Sequence, residues 1–169
     1  MPRAKIKTLH FAYLDASAAV KLVVPIEKGR QKLLSYFQRN FGGCYMTAFC
    51  LHETLTALKT KWKRGESTKL IYLNRCYDLL SYVRNKRISL DSDFDLADFE
   101  IFSQVEAIVE KYDIDISDAL QVVTIKHGRF KGLAQESQTV FVSADNDLLK
   151  AAKLEGLRVW DLLHDDPPE

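Results

Sequence analysis

The sequence predicts a single α/β domain in which a mostly parallel five-stranded sheet is flanked by helices. Five short apolar runs alternate with longer segments whose apolar residues recur at helical spacing, a pattern typical of parallel sheets. The chain has 169 residues, of which 47% are hydrophobic, so it can bury one sizeable core and is short for two domains. We therefore expect one domain over 1–169.

The first strand is predicted to end at an acidic residue. Phe11 to Leu14 form a short apolar run, Asp15 follows it directly, and the small residues from Ser17 onwards favour a helix. A second helix is predicted over 28–41, where leucine and phenylalanine recur at helical spacing before two glycines. Asp15 is thus expected at the carboxyl end of the first strand.

The middle of the chain is predicted to add two strands and two helices. In order, these are a strand at 44–48, a helix at 51–65, a helix at 67–84 and a strand at 87–90. Glu53 falls in the early turns of its helix, and an acidic connector follows at 91–95. We interpret 66–112 as a helical insertion whose partner surface the sequence leaves open.

The last third is predicted to complete the sheet. The predicted elements are a helix at 94–112, a helix at 117–127 capped by Ser117, a loop at 128–138, a strand at 139–142, a helix at 147–155 and a strand at 157–160. Asp118 then lies in the first turn of a helix, and Asp145 follows the fourth strand. An acidic tail at 164–169 is expected to be disordered.

Composition narrows the class of protein. The 24 Lys and Arg nearly balance the 23 Asp and Glu, so nucleic-acid binding requires local basic patches. Three cysteines without a CxxC pair argue against a disulfide framework or thiolate zinc site and favour a reducing cytoplasm. The chain has no apolar run of about 18 residues, and Met1 to His10 is too polar for a signal peptide, so we expect no membrane association.

Four acids are expected to meet at one edge of the sheet. Asp15 and Asp145 follow strands, and Glu53 and Asp118 begin helices, so the carboxyl edge of a parallel sheet can collect all four. Two carboxylates about 4 Å apart repel by roughly 4 kcal/mol at an effective dielectric near 20, so such a cluster demands protons or cations. Mg²⁺ or Mn²⁺ fits best, because hard cations prefer oxygen ligands. Phosphodiester hydrolysis by a metal-activated water then needs no nucleophilic side chain.

Four short motifs strengthen this interpretation. They are Tyr-Leu-Asp-Ala-Ser-Ala-Ala-Val (13–20), His-Glu-Thr-Leu (52–55), Ile-Ser-Asp-Ala-Leu (116–120) and Val-Ser-Ala-Asp-Asn-Asp-Leu (142–148). In this order they resemble PIN domains, among them the VapC-like toxin ribonucleases of type II toxin–antitoxin systems. The resemblance implies a PIN-like three-layer sandwich with metal-dependent endoribonuclease activity.

The resemblance also assigns roles to residues. It implies that Asp15, Glu53, Asp118 and Asp145 are both the catalytic and the metal-binding acids, and that Ser17 orients a metal-bound water. For Asp147, helix capping or first-turn charge is favoured over metal contact. The implied partners are RNA and a small antitoxin protein, and a homodimer is our default expectation.

Other features have simpler explanations. Two basic clusters could contact the phosphates of a nucleic acid, although most such clusters are only favourable charges at helix ends or on solvated faces. One cluster is Lys59, Lys61, Lys63, Arg64 and Lys69, and the other is Lys126, His127, Arg129 and Lys131. A packing or surface role is favoured for His52 over that of a general base, because adjacent helical residues point about 100° apart and His52 and Glu53 would not face one ion. The helical spacing of Trp62, Tyr72, Tyr77 and Tyr82 favours core packing over base stacking.

Alternative functions remain open at this point. A non-catalytic RNA- or protein-binding module could keep the same fold, and a stand-alone RNA-processing nuclease could keep the same site. A phosphoacceptor or phosphatase domain ranks third, because Asp15-Ala16-Ser17 lacks the Asp-x-Asp that this chemistry usually wants after the first strand.

Overall fold

The central sheet has five strands, and each pairing between them is parallel. The computed structural model describes residues 11–91, 97–128, 131–132 and 139–168. The strands are β1 (Phe11–Leu14), β2 (Cys44–Thr47), β3 (Ile88–Asp91), β4 (Thr139–Ser143) and β5 (Arg158–Asp161). They lie in the order β3-β2-β1-β4-β5, with register pairs such as Leu14 with Val142. The predicted parallel sheet is confirmed.

Seven helices lie within the described ranges. They are α1 (Ala16–Val23), α2 (Arg30–Arg39), α3 (Ala48–Lys63), α4 (Lys69–Arg84), α5 (Phe99–Tyr112), α6 (Ile116–His127) and α7 (Asn146–Leu154). Side-chain caps set several of their starts, because an oxygen that accepts a backbone N–H satisfies an otherwise unpaired donor. Thr47 accepts from Cys50 N at 3.0 Å, so α3 begins three residues before the predicted start at 51.

The helices form one layer on each face of the sheet. Alternate strand residues point to opposite faces, as the two-residue period of a strand requires. Leu14 and Val142 pack in one core beneath α1, α2, α3 and α4, whereas Tyr13 and Phe141 pack in the other beneath α5, α6 and α7. The result is the expected three-layer α/β sandwich.

The predicted insertion at 66–112 is part of both layers. It supplies the edge strand β3, and the fully buried Leu79 of α4 belongs to the first core. Val105 of α5 is equally buried in the second core. Residues 92–96 of the acidic connector lie outside the described residues, as do 1–10, 129–130, 133–138 and 169. Most of the loop predicted at 128–138 therefore cannot be compared.

Three local predictions need correction. Asp115 occupies the N-cap position of α6, so Ser117 lies within the first turn instead of capping it. The tail is tied to α2, because Lys32 Nζ donates to the Asp165 carbonyl at 2.9 Å and lies 3.2 Å from the Asp166 carboxylate. Tyr77 is 69% exposed, so it is not core packing.

The remaining aromatic and cysteine predictions agree with the structure. Tyr72 stacks on Trp62 with ring centroids 5.2 Å apart, and Tyr82 meets Phe37 edge-on. All three cysteines are free. In the described parts of the chain, no helix combines the length and apolar character that crossing a membrane requires.

Glu155 joins the helices of the second layer. Its carboxylate accepts hydrogen bonds from Lys126 Nζ, from Tyr112 Oη at 2.6 Å and from Lys111 Nζ at 2.9 Å. The contact with Lys126, followed by that with Tyr112, lowers the pKa of Glu155 to about 2. One side chain at the end of α7 thus holds α5 and α6 in place.

Replacing Glu155 with Gln should lower the free energy of unfolding by about 1 to 2 kcal/mol at pH 7, because charge-assisted hydrogen bonds are lost. The folded-state pKa lies below that of the unfolded chain, so the carboxylate stabilises the fold above about pH 4.5 and ceases to do so as the pH falls towards 2. Urea unfolding at pH 7 and pH 4 tests this, with the exposed Glu106→Gln as control. If the native protein and Glu155→Gln differed more in free energy of unfolding at pH 4 than at pH 7, this prediction would be contradicted.

Candidate active site

The order of the strands reverses at the centre of the sheet, beside β1 and β4. From β1 the chain proceeds through β2 to β3 on one side and then returns to place β4 on the other side of β1. Such a reversal of strand order opens a crevice beyond the carboxyl ends of the two strands, where doubly wound sheets bind ligands. Asp15 follows β1 and Asp145 comes two residues after β4, so both acids lie at this crevice.

Two serine hydroxyls hold the Asp15 carboxylate. Ser143 Oγ donates to Asp15 Oδ2 at 2.7 Å, and Ser17 Oγ lies 2.9 Å from both carboxylate oxygens. Ser17 also accepts from the backbone N–H of Ala144 at 2.8 Å, and Ser143 accepts from that of Asp145 at 2.8 Å. This serine clasp, Ser17 with Ser143, joins the end of β1 to the end of β4.

Two helices bring the other acids to the same edge. The hydroxyl of Ser117 on α6 donates to Glu53 Oε1 on α3 at 2.5 Å. Asp118 is the next residue of α6, in its first turn as predicted. The structure therefore draws the acid-bearing ends of α3 and α6 together.

The charges of the three other predicted acids act on Asp118. Burial, followed in order of size by the charges of Glu53, Asp15 and Asp145, raises the pKa of Asp118 to about 7. Burial likewise raises the pKa of Asp15 to about 6, although its three hydrogen-bonding partners lower it in part. Because a nearby like charge disfavours ionisation, these shifts place the four acids in one electrostatic field.

The donor set suits a divalent cation, although the acids do not yet enclose one. Among the described residues, no three Asp, Glu, His or Cys side chains converge tightly enough to ligate a metal as they stand. Three of the acids, Asp15, Glu53 and Asp145, are instead hydrogen-bonded to protein donors. Mutually repelling carboxylates separate when nothing neutralises them, and oxygen-only donors are those that Mg²⁺ and Mn²⁺ prefer.

Asp145 caps a helix as well as facing the crevice. Its Oδ1 accepts from the backbone N–H groups of Asp147 and Leu148, at 2.9 and 3.0 Å, at the start of α7. Both bonds use Oδ1, so Oδ2 is left for another ligand. Asp147 lies exposed in the first turn of α7, in keeping with first-turn charge. The hydroxyl of Ser17, predicted to orient a metal-bound water, donates to Asp15 and accepts from the backbone N–H of Ala144.

One lysine of each predicted basic cluster forms ion pairs with acids. Lys61 Nζ lies 2.8 Å from Glu27 and 3.1 Å from Glu66, and Lys126 pairs with Glu155. Arg129 lies outside the described residues. His52 is exposed, as predicted, and lines a groove of about 440 Å³ that runs along α3 from Glu53 to Arg64. This groove meets the acidic site at Glu53.

Comparison with known proteins supports the fold alone. No family model matches the chain, and a search of curated proteins finds no match. Among solved structures, the crystal structure of PAE2754 from Pyrobaculum aerophilum is similar, with a TM-score of 0.54 and 17% identity over 89% of this chain and 90% of that chain. At such identity the likeness extends to the three-layer architecture and to no activity.

Sequence reasoning missed one buried polar residue beside the site. Gln121 is 1% exposed, and neither atom of its amide has a hydrogen-bond partner among the described residues. It lies one helical turn beyond Asp118 and Ser117, and helical side chains lean back towards the preceding turn. The sequence shows that Gln121 lies three residues after Asp118, which places it near the same helical face. It does not show that the amide of Gln121 is buried.

Gln121→Met should raise the free energy of unfolding by about 1 kcal/mol, because it removes a buried amide without partners and keeps the chain length of the side chain. Urea unfolding of the metal-free protein measures the change. Gln31→Met, at an exposed position of α2, is the matched control. Destabilisation by Gln121→Met would show that the amide has a partner, such as a buried water.

Proposed function

We propose that this protein is a metal-dependent endoribonuclease that hydrolyses RNA phosphodiester bonds at the crevice between β1 and β4. The observation that carries the proposal is the pKa of Asp118, which acids from three other segments of the chain help to raise to about 7. A site that concentrates negative charge repels a phosphodiester unless a cation lies between them. The four acids therefore favour chemistry on a phosphate that a metal neutralises.

Mg²⁺ or Mn²⁺ would be held by Asp15, Glu53, Asp118 and Asp145. Bound there, the cation would neutralise the acids and supply an activated water for attack on phosphorus. Asp15 is the fixed member, because it is 3% exposed and the serine clasp sets its orientation. Its burial also argues against a phosphoacceptor role, which needs an accessible carboxylate.

The remaining acids have room to adjust. Glu53 uses one carboxylate oxygen for Ser117, and Asp145 uses one for the start of α7. Among the described residues the second carboxylate oxygen of each accepts no hydrogen bond, and Asp118 is half-buried.

The biological setting is also a proposal. The resemblance to PIN domains supports a toxin that a small antitoxin neutralises, with a stand-alone RNA-processing enzyme as the alternative. Three free cysteines, two of them buried, fit a reducing cytoplasm. Co-purification of a small partner protein from the native host would favour the toxin.

The deciding experiment is incubation of the purified protein with a mixed pool of single-stranded and structured RNA, and with matched DNA. Cleavage of RNA is expected with Mg²⁺ or Mn²⁺ and not with EDTA. RNA binding without cleavage under any metal, unaffected by EDTA, would instead support a non-catalytic binding module.

A further inference from the structure

Three of the four acids at the crevice are held by a donor from the protein, and the fourth, Asp118, is not. Asp15 and Glu53 each accept a serine hydroxyl, and Asp145 accepts backbone N–H groups at the start of α7. Asp118 accepts no hydrogen bond from any residue that the structure describes. A carboxylate that binds a metal is normally hydrogen-bonded as well, which orients it towards the ion. Asp118 therefore lacks the kind of donor that the other three acids have.

A donor without a partner lies one helical turn further along α6. Gln121 is 1% exposed, and neither atom of its amide has a hydrogen-bond partner among the described residues. Successive residues of a helix are about 100° apart around its axis, so Gln121 projects between Ser117 and Asp118, about 40° from the first and about 60° from the second. Ser117 bonds to Glu53, so this side of α6 faces α3. The amide is thus buried on the side of α6 that carries the acidic site.

The side chain of Gln121 can reach the carboxylate of Asp118. Residues three apart on a helix have Cβ atoms about 5 to 6 Å apart, and glutamine and aspartate at such spacing form hydrogen bonds. Helical side chains lean towards the preceding turn, so the long side chain of Gln121 leans back towards Asp118. A buried amide without a partner destabilises the fold. Its presence beside an acid that also lacks a donor indicates a bond that forms in another state of the site.

We propose that Gln121 is a positioning residue for Asp118: with a divalent cation bound, its Nε2 group donates to one Asp118 oxygen and leaves the other for the cation. The proposal rests on the proposed function only in that a cation binds the four acids, and it does not depend on RNA cleavage. Without a cation, the charges of the other three acids act on Asp118. A cation between the acids removes that repulsion, so the carboxylate can lie close to them and to the amide.

The affinity of the full chain for Mn²⁺ tests this proposal without RNA. Gln121→Met should raise the dissociation constant measured by titration calorimetry about ten- to a hundredfold, the usual effect of losing the group that orients a metal ligand. Methionine keeps the length of the side chain and removes both polar atoms. In EDTA the same variant should unfold at a higher urea concentration than the native protein. A purely structural role for Gln121 would instead lower the stability in EDTA, which would overturn the proposal.

Gln104→Met is the matched control for the affinity. The amide oxygen of Gln104 is also buried without a partner among the described residues, but Gln104 belongs to α5, which carries none of the four acids. This variant should keep the native dissociation constant. Equal Mn²⁺ affinities of the native protein and Gln121→Met would overturn the positioning role and leave the metal site standing. A native protein that binds no Mn²⁺ would overturn both this proposal and the proposed function.

Nuclear magnetic resonance detects the bond in the native protein, so this measurement does not depend on a variant that folds. Saturation of the isotope-labelled, metal-free protein with Mg²⁺, which is diamagnetic, should shift one side-chain amide proton of Gln121 downfield, because hydrogen bonds to carboxylates are short and strong. The side-chain amide of Gln31, exposed on α2, should not shift. Binding of Mg²⁺ that leaves both amide protons of Gln121 unshifted would overturn the proposal.

Discussion

Asp118→Asn is expected to lower metal-dependent RNA cleavage at least about a hundredfold while the protein stays folded. Asparagine has nearly the shape of aspartate, but it removes the charge on which Glu53, Asp15 and Asp145 act. A neutral amide ligates hard cations less strongly than a carboxylate, so metal retention and water activation both suffer. The measurement is the initial rate of cleavage at saturating Mn²⁺, with circular dichroism to compare the folds.

Asp113→Asn is the matched control for this prediction. Asp113 is exposed at the end of α5 and has a φ of 54°, a backbone conformation that asparagine also accepts. The variant Asp113→Asn should cleave RNA at the native rate, because the charge of Asp113 is not among those that act on Asp118. Full activity of Asp118→Asn would refute the assignment of the site.

The same substitution should stabilise the metal-free protein. Folding raises the pKa of Asp118 from 3.8 to about 7, so its ionisation opposes the folded state. The contribution of protonated Asp118 to the free energy of unfolding is therefore fully present below about pH 3.8 and is lost as the pH rises through 7. In EDTA at pH 8, Asp118→Asn should gain about 1 to 2 kcal/mol, a value reduced for the solvent screening of a half-buried group.

Thermal unfolding in EDTA measures this gain. For a domain of this size it corresponds to an increase of roughly 2 to 8 °C in Tm, and it should shrink as the pH falls from 8 to 5. Mn²⁺ should raise the Tm of the native protein and have little effect on the variant, since binding to the folded state stabilises it. A variant less stable than the native protein at pH 8 would show that Asp118 serves the fold.

Much of the fold could be predicted because local sequence and global topology agree. The apolar run that ends at Leu14 is a strand buried from Ala12 onwards, the run over 139–143 is a fully buried strand, and parallel strands align their carboxyl ends. This geometry brings Asp15 and Asp145, which are 130 positions apart in the sequence, to the same edge of the sheet. The positions of Asp15 and Asp145 directly after two apolar runs were therefore sufficient to predict that both lie at this edge.

Other features depend on tertiary contacts that spacing does not reveal. A serine such as Ser117 can cap a helix, but α6 begins earlier, with Asp115 at the N-cap position. The hydroxyl of Ser117 instead donates to Glu53 on α3. Tyr77 has the helical spacing of its neighbours, yet α4 turns that side chain to solvent. Ser143 received no role of its own, because its bond to Asp15 exists only once β4 lies beside β1.

The position of β4 has a consequence for the order of events during protein synthesis. This strand is made late, yet it lies in the sheet between β1 and β5 and supplies Ser143 to the serine clasp. A nascent chain that has not reached residue 139 leaves one side of β1 unpaired and lacks Asp145. The hydrogen bonds that join Asp15 to the end of β4 can therefore form only after residues 139–145 have been made.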